Sequence, residues 1–181
     1  MKPILEQPTS RAAEQEGAKF EIVDMGPFDN NRNHIIAVND AGQCVGVSVN
    51  PESGRVEAFL QSEGRRVMLG TLTGSFSIAR GINNRGEIVG GSLTQGDENF
   101  HGFLYRDNQM LDLNDLLAGE PGWELIQAFG INNRGDIVGI GCYEGQDRIV
   151  LLRPKAFVGE VVSPGDEPAS PSALASSAKH G

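Results

Sequence analysis

Glu57, His101 and Arg148 hold one repeated position, in Glu57-Ala58-Phe59-Leu60, His101-Gly102-Phe103-Leu104 and Arg148-Ile149-Val150-Leu151. Brought together on an axis, they would combine a general base, a titratable imidazole and an anion clamp. The plainer reading is that each opens the third strand of its unit and faces solvent at an outer edge. A second set lies on the first strand of each unit: His34, Arg80 and Phe129, with Ile36, Ile78 and Gln127 beside them. Mixed apolar and polar side chains are what a small-molecule pocket needs, and they are equally what filler side chains look like. Trp123, the single tryptophan, is read as a core residue, with a stacking platform at a pocket mouth as the alternative.

No nucleophile elbow, phosphate loop, dinucleotide fingerprint, His-Glu-x-x-His or Cys-x-x-Cys pattern occurs in the chain. His34 and His101 are the histidines of its body, too few for a typical zinc site, and the acids do not follow a calcium loop. No metal and no cofactor is expected. The net charge of −9 argues against nucleic acid and anionic membranes, which demand clustered Lys and Arg. No Lys stands between Phe20 and Arg153, so the cations there are all Arg, suited to ion pairs and stacking. Cys44 and Cys142 make no disulfide framework and read as small buried residues. The N-terminal residues carry no apolar run of signal-peptide length, and no segment is long enough to span a bilayer. A soluble, cytoplasmic protein is the expectation.

What positions these residues is a repeat. Gly81-Ile82-Asn83-Asn84-Arg85-Gly86-Glu87-Ile88-Val89-Gly90 returns as Gly130-Ile131-Asn132-Asn133-Arg134-Gly135-Asp136-Ile137-Val138-Gly139. A weaker copy, Ala37-Val38-Asn39-Asp40-Ala41-Gly42-Gln43-Cys44-Val45-Gly46, precedes both. The spacings of 44 and 49 residues belong to architectures in which one unit buries its apolar face only by stacking on the next. Asn-Asn-Arg-Gly between two apolar strands predicts a three-residue hairpin, with the Asn side chain holding the turn and Gly in the left-handed region. Asp107-Asn108 predicts a primed two-residue turn. In the second unit the strands fall near 77–83, 87–92, 101–106 and 110–113. Asn114 or Asp115 would cap a short helical turn ended by Gly119.

The third unit lacks a fourth strand of its own after Leu151-Leu152-Arg153-Pro154, whereas residues 20–26 read as a strand at the start of the chain. That strand is expected to complete the last unit and remove a sheet edge. The expected organisation is a flexible leader over 1–18, a three-repeat β domain over 19–160 and a disordered Pro/Ser/Ala-rich tail over 161–181. The units span about 30–72, 73–117 and 123–157, plus the strand 20–26. The fold class is all-β, with three four-stranded antiparallel repeats arranged like propeller blades. A pseudo-threefold trefoil-like barrel is the alternative.

These motifs resemble the HAF repeat family. Its pattern of a strand ending in Asp-Leu-Gly, then Ile-Asn-x-x-Gly-x-Ile-Val-Gly, then His-Ala-Phe-Leu is met here by Val23-Asp24-Met25-Gly26, by Ile82 to Gly90 and Ile131 to Gly139, and by His101-Gly102-Phe103-Leu104. The likeness covers roughly residues 20 to 154. It implies a repeat fold and an extracellular setting, and no defined activity. Three units are few for a propeller, so two chains pairing as a six-bladed homodimer is one expectation. The leading functional reading is a non-enzymatic binding or protein-interaction module with an unidentified protein or small-molecule ligand. The rival is a small pocket enzyme, of cyclase or isomerase type, acting on an apolar molecule.

Overall fold

The computed structural model describes residues 21–25, 34–117 and 119–155. Among the described residues eleven strands form three antiparallel sheets, each with neighbours in the sheet consecutive along the chain. The first holds β1 (His34–Val38), β2 (Cys44–Val49), β3 (Val56–Ser62) and β4 (Arg65–Gly70). The second holds β5 (Ser77–Ile82), β6 (Ile88–Leu93), β7 (Phe100–Arg106) and β8 (Gln109–Asp112), and the third β9 (Trp123–Ile131), β10 (Ile137–Tyr143) and β11 (Gln146–Leu152). Among the described residues there is no α-helix, only a short 3-10 turn at Gln95–Asp97. The segment after β8 forms successive hydrogen-bonded turns, Leu116 N to Leu113 O and Leu117 N to Asn114 O, rather than a capped helix.

The repeated turn is built as its residues dictate. In all three units the Asn side-chain oxygen accepts two backbone N–H groups, from Ala41 and Gln43, from Arg85 and Glu87, and from Arg134 and Asp136, at 2.9–3.1 Å. Gly86 then takes φ 76°, a conformation that strains any residue with a Cβ. Asp107 and Asn108 both have positive φ, as the primed turn requires.

The glycine of Ile-Val-Gly has another cause. Each first strand carries an extra residue in a bulge at an equivalent place, Ile36, Arg80 and Phe129, and β9 has a second one at Ile126. Beside it a carbonyl presses onto the neighbouring strand. A Cβ on Gly90 would lie 2.0 Å from Ile78 O, and Gly46 and Gly139 meet His34 O and Gln127 O in the same way. Only a residue without a side chain allows that approach.

The sheets stack face on face, all in one sense. The trailing face of the first sheet (Val45, Ala58, Leu69) packs on the leading face of the second (Ala79, Ile82, Ile88, Phe103). The trailing face of the second (Val89, Leu104, Leu113) packs on the leading face of the third (Leu125, Ala128, Ile137). The first strand of each following sheet lies across the preceding one, β5 over β1, β2 and β3 and β9 over β5, β6 and β7. Outside these cores the backbone is bridged by hydroxyls: Ser77 Oγ accepts from Ala58 N at 2.8 Å and donates to Gly70 O at 2.5 Å, and Ser92 Oγ accepts from Leu72 N at 2.9 Å. A single isolated bridge, Val56 to Phe76, links first and second sheets among the described residues. The three sheets stay separate, so these residues do not close a trefoil-like barrel.

Further expectations are corrected. Residues 21–25 form no strand, and among the described residues the third sheet has three strands rather than four. The Met25 carbonyl instead accepts from Gln61 Nε2 of β3 at 3.0 Å, which places this segment on the first sheet. Phe20 and Gly26 of the expected strand, the leader 1–18 and the tail 161–181 lie outside the described residues. Cys44 and Cys142 are free and half-buried rather than buried. No helix among the described residues is long and apolar enough to cross a membrane.

Candidate functional site

Glu57, His101 and Arg148 lie near the starts of β3, β7 and β11, in three different sheets, and no contact among the described residues joins them. Each is taken up locally. Glu57 is buried and accepts from Asn50 Nδ2 at 2.7 Å and Ser53 Oγ at 2.8 Å, bracing the loop that leads into its own strand. Arg148 is exposed and donates to Gln146 Oε1 at 3.0 Å. His101 Nδ1 lies 2.6 Å from Asp112 Oδ2, across the β7–β8 hairpin, and Nε2 lies 3.5 Å from Glu124 Oε1. The second Asp112 oxygen accepts from Asn114 N at 2.8 Å and Nδ2 at 3.0 Å. Asn114 in turn pairs both ways with the Leu125 backbone. The cluster ties the end of the second sheet to β9.

Asp112 and Glu124 were not distinguished by sequence as His101's neighbours. Their separation along the chain has no motif behind it, and only the hairpin register places Asp112 near the imidazole. Asp112 also lines a shallow groove of about 420 Å³ with Leu72, Thr94, Met110, Asp115 and Leu116. The groove is open and half polar in character.

The first-strand residues are brought together in part. The Arg80 guanidinium carbon sits 5.9 Å from the centre of the Phe129 ring, and both occupy the bulge position of their strands. Arg80 Nε is buried without a hydrogen-bond partner in the structure. Ile36 holds the same bulge position in β1. His34 begins β1 and is exposed. Trp123 is half-buried at the start of β9 and packs on Tyr143 with ring centres 5.0 Å apart, so it belongs to the third sheet's end rather than to the first-strand set.

Two carboxylates are held below their usual range: Asp97 by the hydroxyl and then the backbone N–H of Ser75, and Asp136 chiefly by the Asn132 amide. Both bonds fix loops. Among the described residues no three His, Cys, Asp or Glu side chains gather closely enough to hold a metal ion.

The feature that sequence reasoning missed is apolar. On the trailing face of the third sheet Val138, Ile149 and Leu151 are 41%, 87% and 54% exposed. Their counterparts in the preceding sheets, Val45, Val89, Ala58 and Leu104, are buried. The signal was present in Arg148-Ile149-Val150-Leu151, where Ile stands in the place of Ala58 and Gly102. No protein-family model, curated protein or solved structure matches the chain significantly.

Proposed function

We propose that the chain is a non-enzymatic protein-interaction module built from HAF-type repeats. In this reading its three sheets are arranged like blades of a propeller, and the open trailing face of the third docks on another protein. One observation carries it. Val138, Ile149 and Leu151 stand in solvent at places where the preceding sheets bury Val45, Val89, Ala58 and Leu104 under a neighbouring sheet and half-bury Leu60. An exposed apolar patch set on a repeat face is a docking surface in general terms. The contacts that each first strand makes across the preceding sheet support the blade-like arrangement. The test is the triple variant Val138→Ser/Ile149→Ser/Leu151→Ser, melted at about 1 μM protein. A face reserved for a partner predicts a melting temperature within about 2 °C of the parent. A fall of 5 °C or more that does not change with protein concentration would mean that the chain's own residues fill the face, and would overturn the reading.

The pocket-enzyme reading has one observation in its favour. Asp112 orients the His101 imidazole in the manner of a carboxylate–histidine pair and also lines the groove. Titration with small apolar carbonyl compounds, followed by NMR at His101 and Met110, decides it. Unmoved resonances would remove the enzyme.

A further inference from the structure

We infer that the occupant of the open third-sheet face is a second copy of this chain, bound tail to head, with the third sheet of each copy packed on the first sheet of the other. The inference rests on the interaction reading above and names its partner.

Both halves of a further junction are present on one chain, at opposite ends. The trailing half is Val138, Ile149 and Leu151. The leading half lies on β1, where Ile35 is 54% and Val38 62% exposed. Inside the chain the residues in these two positions are Ala79 and Ile82 in the second sheet and Ala128 and Ile131 in the third, which fill the two cores. Thus each position left open at one end corresponds to one that is covered at an internal junction. Homodimer contacts are richer in apolar surface than transient ones, which suits this composition.

A polar ladder runs through the same junctions and stops at the same two ends. Asn39 Nδ2 donates to Asn83 O at 3.0 Å, and Asn83 Nδ2 donates to Asn132 O at 3.1 Å. Beside them Asp40 N donates to Asn84 Oδ1 and Asn84 N to Asn133 Oδ1, at 3.0 and 2.9 Å. Asn132 Nδ2 donates only to Asp136 Oδ2 of its own turn, and Asn132 is exposed where Asn39 and Asn83 are buried. Its amide is a donor awaiting a turn carbonyl. The matching carbonyl, at Asn39, receives only its own Gly42 N–H at 3.0 Å among the described residues. Tail-to-head pairing supplies each with the other.

The leading face is not open throughout. Toward its far edge Phe59 lies under the Arg66 guanidinium, 4.6 Å from the ring centre, and Gln61 is engaged by Met25. Contact is therefore centred on β1 and the asparagine turn, the side on which the internal junctions also bring first strands together. Two copies joined this way have two identical junctions related by a twofold axis and close into a ring of six sheets. Ile36, Arg80 and Phe129 of both copies then line its axis.

The test uses complementation in the full chain, read as mass by light scattering at about 100 μM. A head variant, Ile35→Asp/Val38→Asp, and a tail variant, Val138→Asp/Leu151→Asp, each spoil both junctions of a homodimer. Mixed in equal amounts they retain one parental junction. The parent is expected at twice the 19.4 kDa chain mass, each variant alone at the single-chain mass, and the mixture with two-chain species restored. A single-chain parent overturns the inference while leaving the interaction reading to its own melting test. A head variant that still pairs means that tails bind tails, and overturns it too, as does a mass that grows without closing. Should the charged variants misfold, Asn132→Ala replaces them: it is expected to raise the dissociation constant about tenfold, and an unchanged constant contradicts the ladder.

Discussion

Val89 and Val138 occupy the same place in successive sheets, each following the same isoleucine and preceding the same glycine. The first is sealed at the junction between second and third sheets, and the second stands open. Strand, bulge and turn around them are built alike, so local structure does not account for the difference. What separates them is whether a following sheet is present among the described residues. A repeat unit makes its hairpins alone and buries its apolar face only through a neighbour.

The largest break between the two sites should appear on polar substitution. Val89→Ser places a hydroxyl in the sealed core and is expected to cost about 3 kcal/mol in chemical denaturation. Val138→Ser, assayed in dilute protein, should cost under about 0.5 kcal/mol. Equal losses would erase the distinction.

A control sharpens the point. Gly90 and Gly139 both face a carbonyl within their own sheet, at 2.0 and 2.4 Å from a hypothetical Cβ. Gly90→Ala and Gly139→Ala should therefore both destabilise, each by about 1–3 kcal/mol, and Gly90→Ala the more because its Cβ would also meet the Phe103 ring at 2.8 Å. A tolerated Gly139→Ala would show that the third sheet is built differently after all.

The smallest contrast concerns the ladder. Asn83→Ala removes an Asx turn and the bond to the next unit, about 2 kcal/mol in all, whereas Asn132→Ala removes the turn without a following bond. The difference of about 1 kcal/mol, measured by denaturant midpoints in dilute protein, isolates the cross-unit bond. No difference would mean that Asn83 acts within its turn alone.

Much of this architecture was legible in the residues. Asn-Asn-Arg-Gly specified its hairpin because Asn oxygens and a left-handed Gly leave that turn few alternatives, and β5 to β8 fall within a residue or so of the strands read from alternation. Residues 21–25 of the strand expected over 20–26 form none, because alternation shows that a segment suits a sheet without naming which sheet, and Gln61 holds Met25 on the first. The convergence of Glu57, His101 and Arg148 was drawn from repeat equivalence alone. Equivalent positions stay in separate sheets, and each side chain found a nearer partner: Asn50 and Ser53, Asp112, Gln146. Asn39 and Asn83 were read as turn residues, which they are. Their second task, donating to the next unit, depends on stacking geometry that one unit's sequence does not carry.

Hydrogen exchange on the full chain, at about 1 μM and about 100 μM, tests the central contrast most directly. Paired copies predict that β1, β10 and β11 gain protection at the higher concentration while β6 and β7, sealed within the chain, exchange alike at both. Exchange in which β1, β10 and β11 stay unprotected relative to β6 and β7 at both concentrations would contradict the account.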